Sequence, residues 1–287
     1  MVKLRSGFKF FSGSLQRGHV LYLVLVVVGL FLIGYSALGL IDDQREYASA
    51  RSEYDQLREL RPEVNDQLDI LRQGIVNSAF AYLDSQPHFE QDFDARSRAL
   101  VSGHYSYSDF LEVDRPDPLA GLAEINRDFI GWIVIGDLID YPVVRGRDNI
   151  RYLDTTFSGK NNLSGTIFMD SANTRGFDEP VAVLYGHNMR NGSMFAPLHR
   201  YRDRSFLEEN PNIIILTSKG ELLLYRIFAA RVMNVEDRDA DLGLSDGATS
   251  SGVFRSAPAG SNRFLVLSTC TSVVDDERLR VYAALVE

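Results

Sequence analysis

One cysteine stands in the whole chain, Cys270, at the end of the apolar run "RFLVLSTC". A thiolate is a strong nucleophile toward carbonyl carbon, provided an imidazole moves protons and a fixed donor holds the oxyanion. The chain has five histidines to offer. His19 borders a long apolar stretch, His88 and His104 lie in a region without periodicity, and His199 sits in the basic stretch "LHRYRDR". Only His187 follows directly on an expected strand, "VAVLYG", and strand ends are where a rigid scaffold presents reactive groups. Arg278 and Arg280 lie on the strand after the cysteine. Two residues apart on a strand share a face, so either could aim a permanently charged guanidinium at the thiol. The opposing view of Cys270 is an inert buried residue, a common state for cysteine. Its polar neighbours Ser268 and Thr269 fit an accessible position better.

The elements that must position these groups are short. "LAGLAEIN" predicts a short helix and "GWIVIGDLIDYPVVRG" two β-rich runs around a turn. "GTIFMD" and "VAVLYGHN" predict strands, and "MFAPLHRYRDRSFLEENP" one or two short helices. "NIIILTS" and "GELLLYRIFAARVMNV" predict a hairpin about Lys219-Gly220. Residues 236–262 are rich in Asp, Ser and Gly, with "SSGVFRSA" as a short helical candidate. "RFLVLSTC" and "RLRVYAALVE" close the chain as strands. Many short strands with few helices point to a mixed-β barrel or sandwich over residues 119–287.

The first part of the chain reads differently. Residues 1–19 form a basic tail carrying Lys3, Arg5, Lys9 and Arg17 and no acid. No charge interrupts Val20 to Ile41. As a helix that stretch is about 33 Å long, enough for a hydrocarbon core of roughly 30 Å. It is longer than a signal-peptide core, and Ser36-Ala37-Leu38 is a poor cleavage site, so an uncleaved transmembrane anchor at 20–41 is expected. Basic residues before the span and acids after it place the N-terminus in the cytoplasm and the rest outside. Residues 42–78 show an interrupted apolar stripe (Tyr47, Tyr54, Leu57, Val64, Leu68) and predict a helical stalk, solvated rather than packed. Residues 79–118 read as a linker with one short helix near 91–101. A net charge of −9 argues against a nucleic-acid partner. Exported proteins usually pair their cysteines, and a single one cannot form an internal disulfide, which leaves a reactive or an inert thiol.

Taken together, the motifs resemble one family. "LSTC" followed eight residues later by Arg278, with "YGHN" upstream, is similar to the active site of a sortase. "EINRDFIGWIVIGDLIDYPVVRGRDNIRYLDTTFSGKNNLSGTIFMDSAN" resembles the first half of a class B sortase domain, with Gly-Trp-Ile, Asp-Tyr-Pro-Val-Val and "GTIFMD" in order. The resemblance spans about residues 119–287. It implies an eight-stranded sortase-type β-barrel with short flanking helices, preceded by the transmembrane helix and stalk. It implies His187, Cys270 and Arg278 as the catalytic residues. Arg278 is chosen because the family strand reads Arg, then an apolar pair, then a run ending in a hydrophobe. Arg280 departs from that pattern, since it falls where the family carries an apolar residue. Ser268, Thr269 and Asn188 are the implied substrate-binding residues.

The implied reaction is transpeptidation at a Gram-positive cell surface, with no metal and no cofactor. A sorting signal near the C-terminus of a secreted protein, of the Asn-Pro-X-Thr type for class B, is cut after its threonine. The acyl group passes to the cysteine and then to an amine of a peptidoglycan precursor or a pilin. The implied location is the cell membrane, single pass, with the catalytic domain extracellular. A free cysteine is only a few per cent thiolate near neutral pH, and no third residue orienting His187 is evident, so modest activity is expected. Class B members carry a substantial helix between the strands flanking the groove, which residues 236–262 lack in composition. Two other functions stay open: a hydrolytic extracellular cysteine peptidase, separable by product analysis with and without an amine, and a non-catalytic envelope protein, separable by the alkylation rate of Cys270.

Overall fold

A computed structural model describes residues 17–60, 105–106, 119–234, 252–254, 261–271 and 277–286. The basic tail to residue 16, the rest of the stalk and nearly all of the linker lie outside the described residues. The chain divides into two compact units, residues 1–45 and 46–287. In the first, the N-terminal part of helix α1 (Arg17–Glu59) exposes an unbroken set of large apolar side chains from Leu21 to Ile41. That helix is long and apolar enough to cross a membrane, which makes it a candidate anchor.

The second unit is built on β-branched and aromatic runs. Its strands are β1 (Tyr105–Ser106), β2 (Phe129–Ile135), β3 (Ile139–Val144), β4 (Ile167–Met169), β5 (Val181–Tyr185), β6 (Asn212–Thr217), β7 (Glu221–Asn234), β8 (Gly252–Phe254), β9 (Phe264–Cys270) and β10 (Glu277–Leu285). Among the described residues, eight of them run in the order β7-β10-β9-β5-β4-β3-β2-β6, and β6 pairs back onto β7 to close a barrel. Closure leaves no open edge around the ring. The pairs β3–β4 and β5–β9 are parallel and the others antiparallel, so the barrel is mixed. The two-residue β1 and three-residue β8 add onto the long strand β7. Residues 252–254, read from the sequence as helical, therefore form a strand: the backbone groups of Ala229, Ala230 and Arg231 supply a ladder that local composition does not reveal. Pro142 sits inside β3, and β4 joins β3 only from Val143 onward, so the missing N–H falls where that edge carries no ladder.

Side chains from alternate positions fill the barrel, including Ile133, Val143, Leu184, Ile215, Leu267, Leu279 and Val281. A second, smaller cluster lies on the outer face of β5, β9, β10 and β7: Val183, Phe228, Val266, Tyr282 and Ala284. Burial on both faces explains why "FLVL" and "VYAAL" read as continuous apolar runs rather than alternating ones.

Residues 46–59 of α1 do not form a solvated stalk. Ala50, Tyr54 and Leu57 are buried in the main core. Glu53 accepts hydrogen bonds from Thr156 Oγ1 (3.1 Å) and the Ser158 N–H (2.9 Å) and pairs with Lys160 Nζ (3.3 Å). The Tyr54 hydroxyl donates to the Gly165 carbonyl, and Arg58 stacks its guanidinium 4.9 Å from the Tyr141 ring centroid. The interrupted stripe is narrow because only this short stretch packs. It grips the loop between β3 and β4.

Four buried tyrosines set an alkaline limit. Burial, with a hydrogen bond to Asp128, pushes Tyr152 up to about 12, and burial pushes Tyr225 up to about 12. Burial raises Tyr54 and Tyr201 further. A phenol raised in the folded state contributes stability that is complete below the unfolded value of about 10 and is lost as pH rises through the folded value. Urea midpoints are therefore expected to hold up to about pH 10 and to fall from there to pH 12, with tyrosinate absorbance appearing in step with unfolding. Ionisation of every tyrosine near pH 10 with unchanged midpoints would contradict this.

Candidate active site

The outer face of β9 and β10 is a ladder of cross-strand pairs. Phe264 faces Ala284, Val266 faces Tyr282, Ser268 faces Arg280, and Cys270 faces Arg278. Residues directly opposite share a face, with Cβ atoms about 4.5–5.5 Å apart. The two apolar pairs belong to the outer cluster and the two polar pairs continue it toward one end of the barrel. Strand β5 lies parallel on the other side of β9, with Val183 beside Val266 and Tyr185 beside Ser268. The Gly186 N–H donates to the Ser268 carbonyl at 3.2 Å and carries the pairing one residue further. His187 follows Gly186, two places beyond the last paired residue of β5. Cys270 and Arg278 thus face each other on β9 and β10, and His187 lies just past the end of the neighbouring strand β5.

The loop after β5 is tightly held. A Cβ on Gly186 would meet the Phe195 ring at 2.7 Å, so only glycine lets Phe195 close over this strand end. The Phe195 N–H returns to the His187 carbonyl (2.9 Å), and Asn188 bridges to Met194. The Asn188 amide donates from Nδ2 to the Cys270 carbonyl at 3.0 Å. Beyond Phe195 a 3-10 helix, Ala196–Arg202, packs Leu198 and Tyr201 into the core and turns His199 back toward the strand end. His199 Nε2 donates to the same Cys270 carbonyl at 2.9 Å.

Nε2 of His187 is 2.6 Å from the Leu153 carbonyl oxygen. A carbonyl only accepts, so Nε2 carries the hydrogen and Nδ1 is the nitrogen left for proton exchange. Cys270 is partly exposed, which distinguishes it from an inert core thiol. Arg278 is half-buried and donates from Nη1 to the Glu277 carbonyl (2.9 Å). Arg280 is buried beneath it, with Nη1 3.8 Å from Met233 Sδ. Nearby, burial of Asp170 is outweighed by hydrogen bonds from the Ala172 N–H, the Tyr185 hydroxyl and Asn149, which together hold its carboxyl below the usual range.

Of the six residues singled out from the sequence, Ser268, Cys270 and Arg278 share the outer face of β9 and β10, Asn188 reaches the Cys270 carbonyl, and His187 precedes Asn188 in the loop after β5. Thr269 goes elsewhere. It pairs with Leu279, an inner-core residue, so its side chain points into the barrel and is buried there. A one-residue step along a strand reverses the face, and this separates Thr269 from the groove side. Two groups went unforeseen. The Leu153 carbonyl is a backbone atom and leaves no trace in side-chain chemistry. His199 was visible in "LHRYRDR" but read only as part of a basic helical stretch.

A sortase domain model matches residues 135–286 of the chain. Sortase B of Listeria monocytogenes is 42% identical over 96 residues, 33% of this chain and 39% of that protein. Sortase B of Staphylococcus aureus is 33% identical over 117 residues, 40% of this chain and 48% of that protein. The matched stretches therefore span about two fifths to one half of these curated relatives. The crystal structure of a Streptococcus pyogenes class B sortase involved in pilus biogenesis superposes with a TM-score of 0.53 at 28% identity, covering 57% of this chain and 96% of that one. The X-ray structure of Clostridium perfringens sortase B gives 0.50 at 29%, covering 58% and 98%. A closed eight-stranded mixed barrel with its lone cysteine at a strand end, matched by the family model over more than half its length, belongs to the sortase family.

Proposed function

We propose that the chain is a membrane-anchored cysteine transpeptidase acting outside the cell. The observation that carries this is Cys270 facing Arg278 across β9 and β10, with His187 just past the end of the adjoining β5, in a chain of the sortase family. In this reading the Cys270 thiolate attacks the carbonyl carbon of the threonine in a sorting signal. Arg278 donates to the oxyanion that forms. The carbon–nitrogen bond then breaks, and the leaving amine takes a proton from His187 Nδ1, leaving a thioester on Cys270. An amine of a peptidoglycan precursor or a pilin attacks the thioester, gives its proton back to His187 and expels the thiolate. One peptide bond is exchanged for another and no water is consumed. Ser268 and Asn188 stand beside the reacting centre as candidate substrate contacts.

The apolar part of α1 serves as the anchor, with the basic tail in the cytoplasm. The test is incubation of the full chain in detergent or nanodiscs with labelled sorting peptides of the Asn-Pro-X-Thr type and an amine. Conjugation of the amine to the threonine acyl group is expected. Hydrolysis alone would favour a peptidase, and no cleavage across the panel would refute the proposal. The two arginines separate by position, since Arg278 faces Cys270 and Arg280 faces Ser268 one pair further in. Loss of an oxyanion donor predicts a drop in kcat/KM of about 10²–10³ for Arg278→Ala, with Arg280→Ala within about tenfold of the parent. The reverse order would reassign the role.

A further inference from the structure

Two donors from one short segment converge on the Cys270 carbonyl. Asn188 Nδ2 reaches it at 3.0 Å and His199 Nε2 at 2.9 Å. A carbonyl oxygen has two lone pairs, and both are engaged here by side chains. The peptide unit is planar and trans, so holding the Cys270 C=O also sets the direction of the Thr271 N–H, which points the opposite way within the same plane. That N–H is the backbone donor next to the nucleophile. An oxyanion hole works only when its donors are pre-aimed, because aiming them during the reaction costs the reorganisation that catalysis must avoid. The β9–β10 register reaches its last described pair at Cys270 and Arg278, so this peptide lies at the end of that ladder.

We propose that His199 is a positioning residue for acyl transfer: with Asn188 it clamps the plane of the Cys270–Thr271 peptide, and so sets the oxyanion donor beside the thiol. This rests on the reading of Cys270 as the nucleophile. His199 is suited to the task because it belongs to a helix nailed down by the buried Leu198 and Tyr201 and not to the substrate. Its Nε2–H is present in the neutral tautomer that makes this bond and in the charged ring alike.

The experiment compares two reactions of the same sulfur. Acyl-enzyme formation from a sorting peptide builds an oxyanion, whereas alkylation by iodoacetamide does not. For His199→Leu in the full chain, the acylation rate is expected to fall about 10–100-fold, less than for outright loss of a donor. KM and the alkylation rate should stay within about twofold of the parent. His199→Gln keeps an N–H donor and should recover most of the loss. Equal acylation by a folded His199→Leu protein, or a parallel fall in alkylation, overturns the proposal. If His199→Leu does not fold, the unaltered protein still decides. With its one cysteine labelled at the carbonyl carbon and its histidines with nitrogen-15, it must show a scalar coupling across the Nε2–H···O=C bond, and absence of that coupling overturns the clamp. A parent that forms no acyl-enzyme while showing the coupling refutes the transpeptidase reading instead.

Discussion

Replacing Cys270 by alanine is expected to leave a folded protein with no measurable acyl-enzyme, a fall of at least about 10⁴-fold in transfer. No other thiol exists in the chain to take over. The fold should tolerate the change, because Cys270 ends β9 at a partly exposed position and contributes its backbone, not its side chain, to the Asn188 and His199 contacts. Denaturant midpoints should therefore match the parent within about 0.5 kcal/mol, as for substitutions outside the core. The pairing of a lost reaction with an intact fold is the informative result. Appreciable amine conjugation by Cys270→Ala would place the chemistry elsewhere. Mass spectrometry of the parent after mixing with peptide should in turn find the acyl adduct on Cys270 alone.

Gly165→Ala is expected to damage both stability and transfer, though it lies in a loop and carries no reactive group. Gly165 has φ +56, a conformation that costs other residues about 1–2 kcal/mol. A Cβ there would also collide with the Tyr152 carbonyl and come within 2.6 Å of the Leu153 carbonyl oxygen. These are backbone atoms and cannot swing aside. The combined cost is about 2–4 kcal/mol, or a Tm lower by roughly 5–15 °C. The Leu153 oxygen is the acceptor of His187 Nε2–H, so moving it also releases the imidazole. Transfer at a temperature where the protein is fully folded should fall by at least about tenfold, since an imidazole moved off its acceptor is a poorer proton carrier. Gly159→Ala is the control: φ is +87 there, but nothing lies within 4 Å of the added carbon. If the two variants behave alike, the carbonyl contact has no part in the site.

The same loop is also held by residues 46–59 of α1. Glu53 and Tyr54 hold residues 156–166 from one side, and Leu153 meets His187 from the other. A soluble fragment beginning at residue 79 would lack those contacts. Assays on the full chain are therefore preferable to assays on the barrel alone.

Local patterns carried a large part of this protein. Apolar runs marked all eight barrel strands, and "YGHN" and "LSTC" marked the two strand ends where His187 and Cys270 lie. Such features are legible because strand propensity, turns and residue chemistry act over a few neighbouring residues. The helical expectation for 252–254 failed because β7, some twenty residues earlier in the chain, offers the pairing partner. The solvated-stalk expectation failed because the surface that buries Tyr54 is made by residues as distant in the chain as Tyr141 and Gly165.

Motif order, through its resemblance to sortases, was enough to expect a sortase-type barrel behind an apolar helix and to single out one thiol, one imidazole and one guanidinium as its candidate site. Register between distant strands then chose the neighbours: Arg278 opposite Cys270, Thr269 turned inward, His199 on the Cys270 carbonyl and Leu153 on the imidazole. Those pairings follow from long-range hydrogen bonding and the closure of the barrel. No short window of residues contains the partner atoms that settle them.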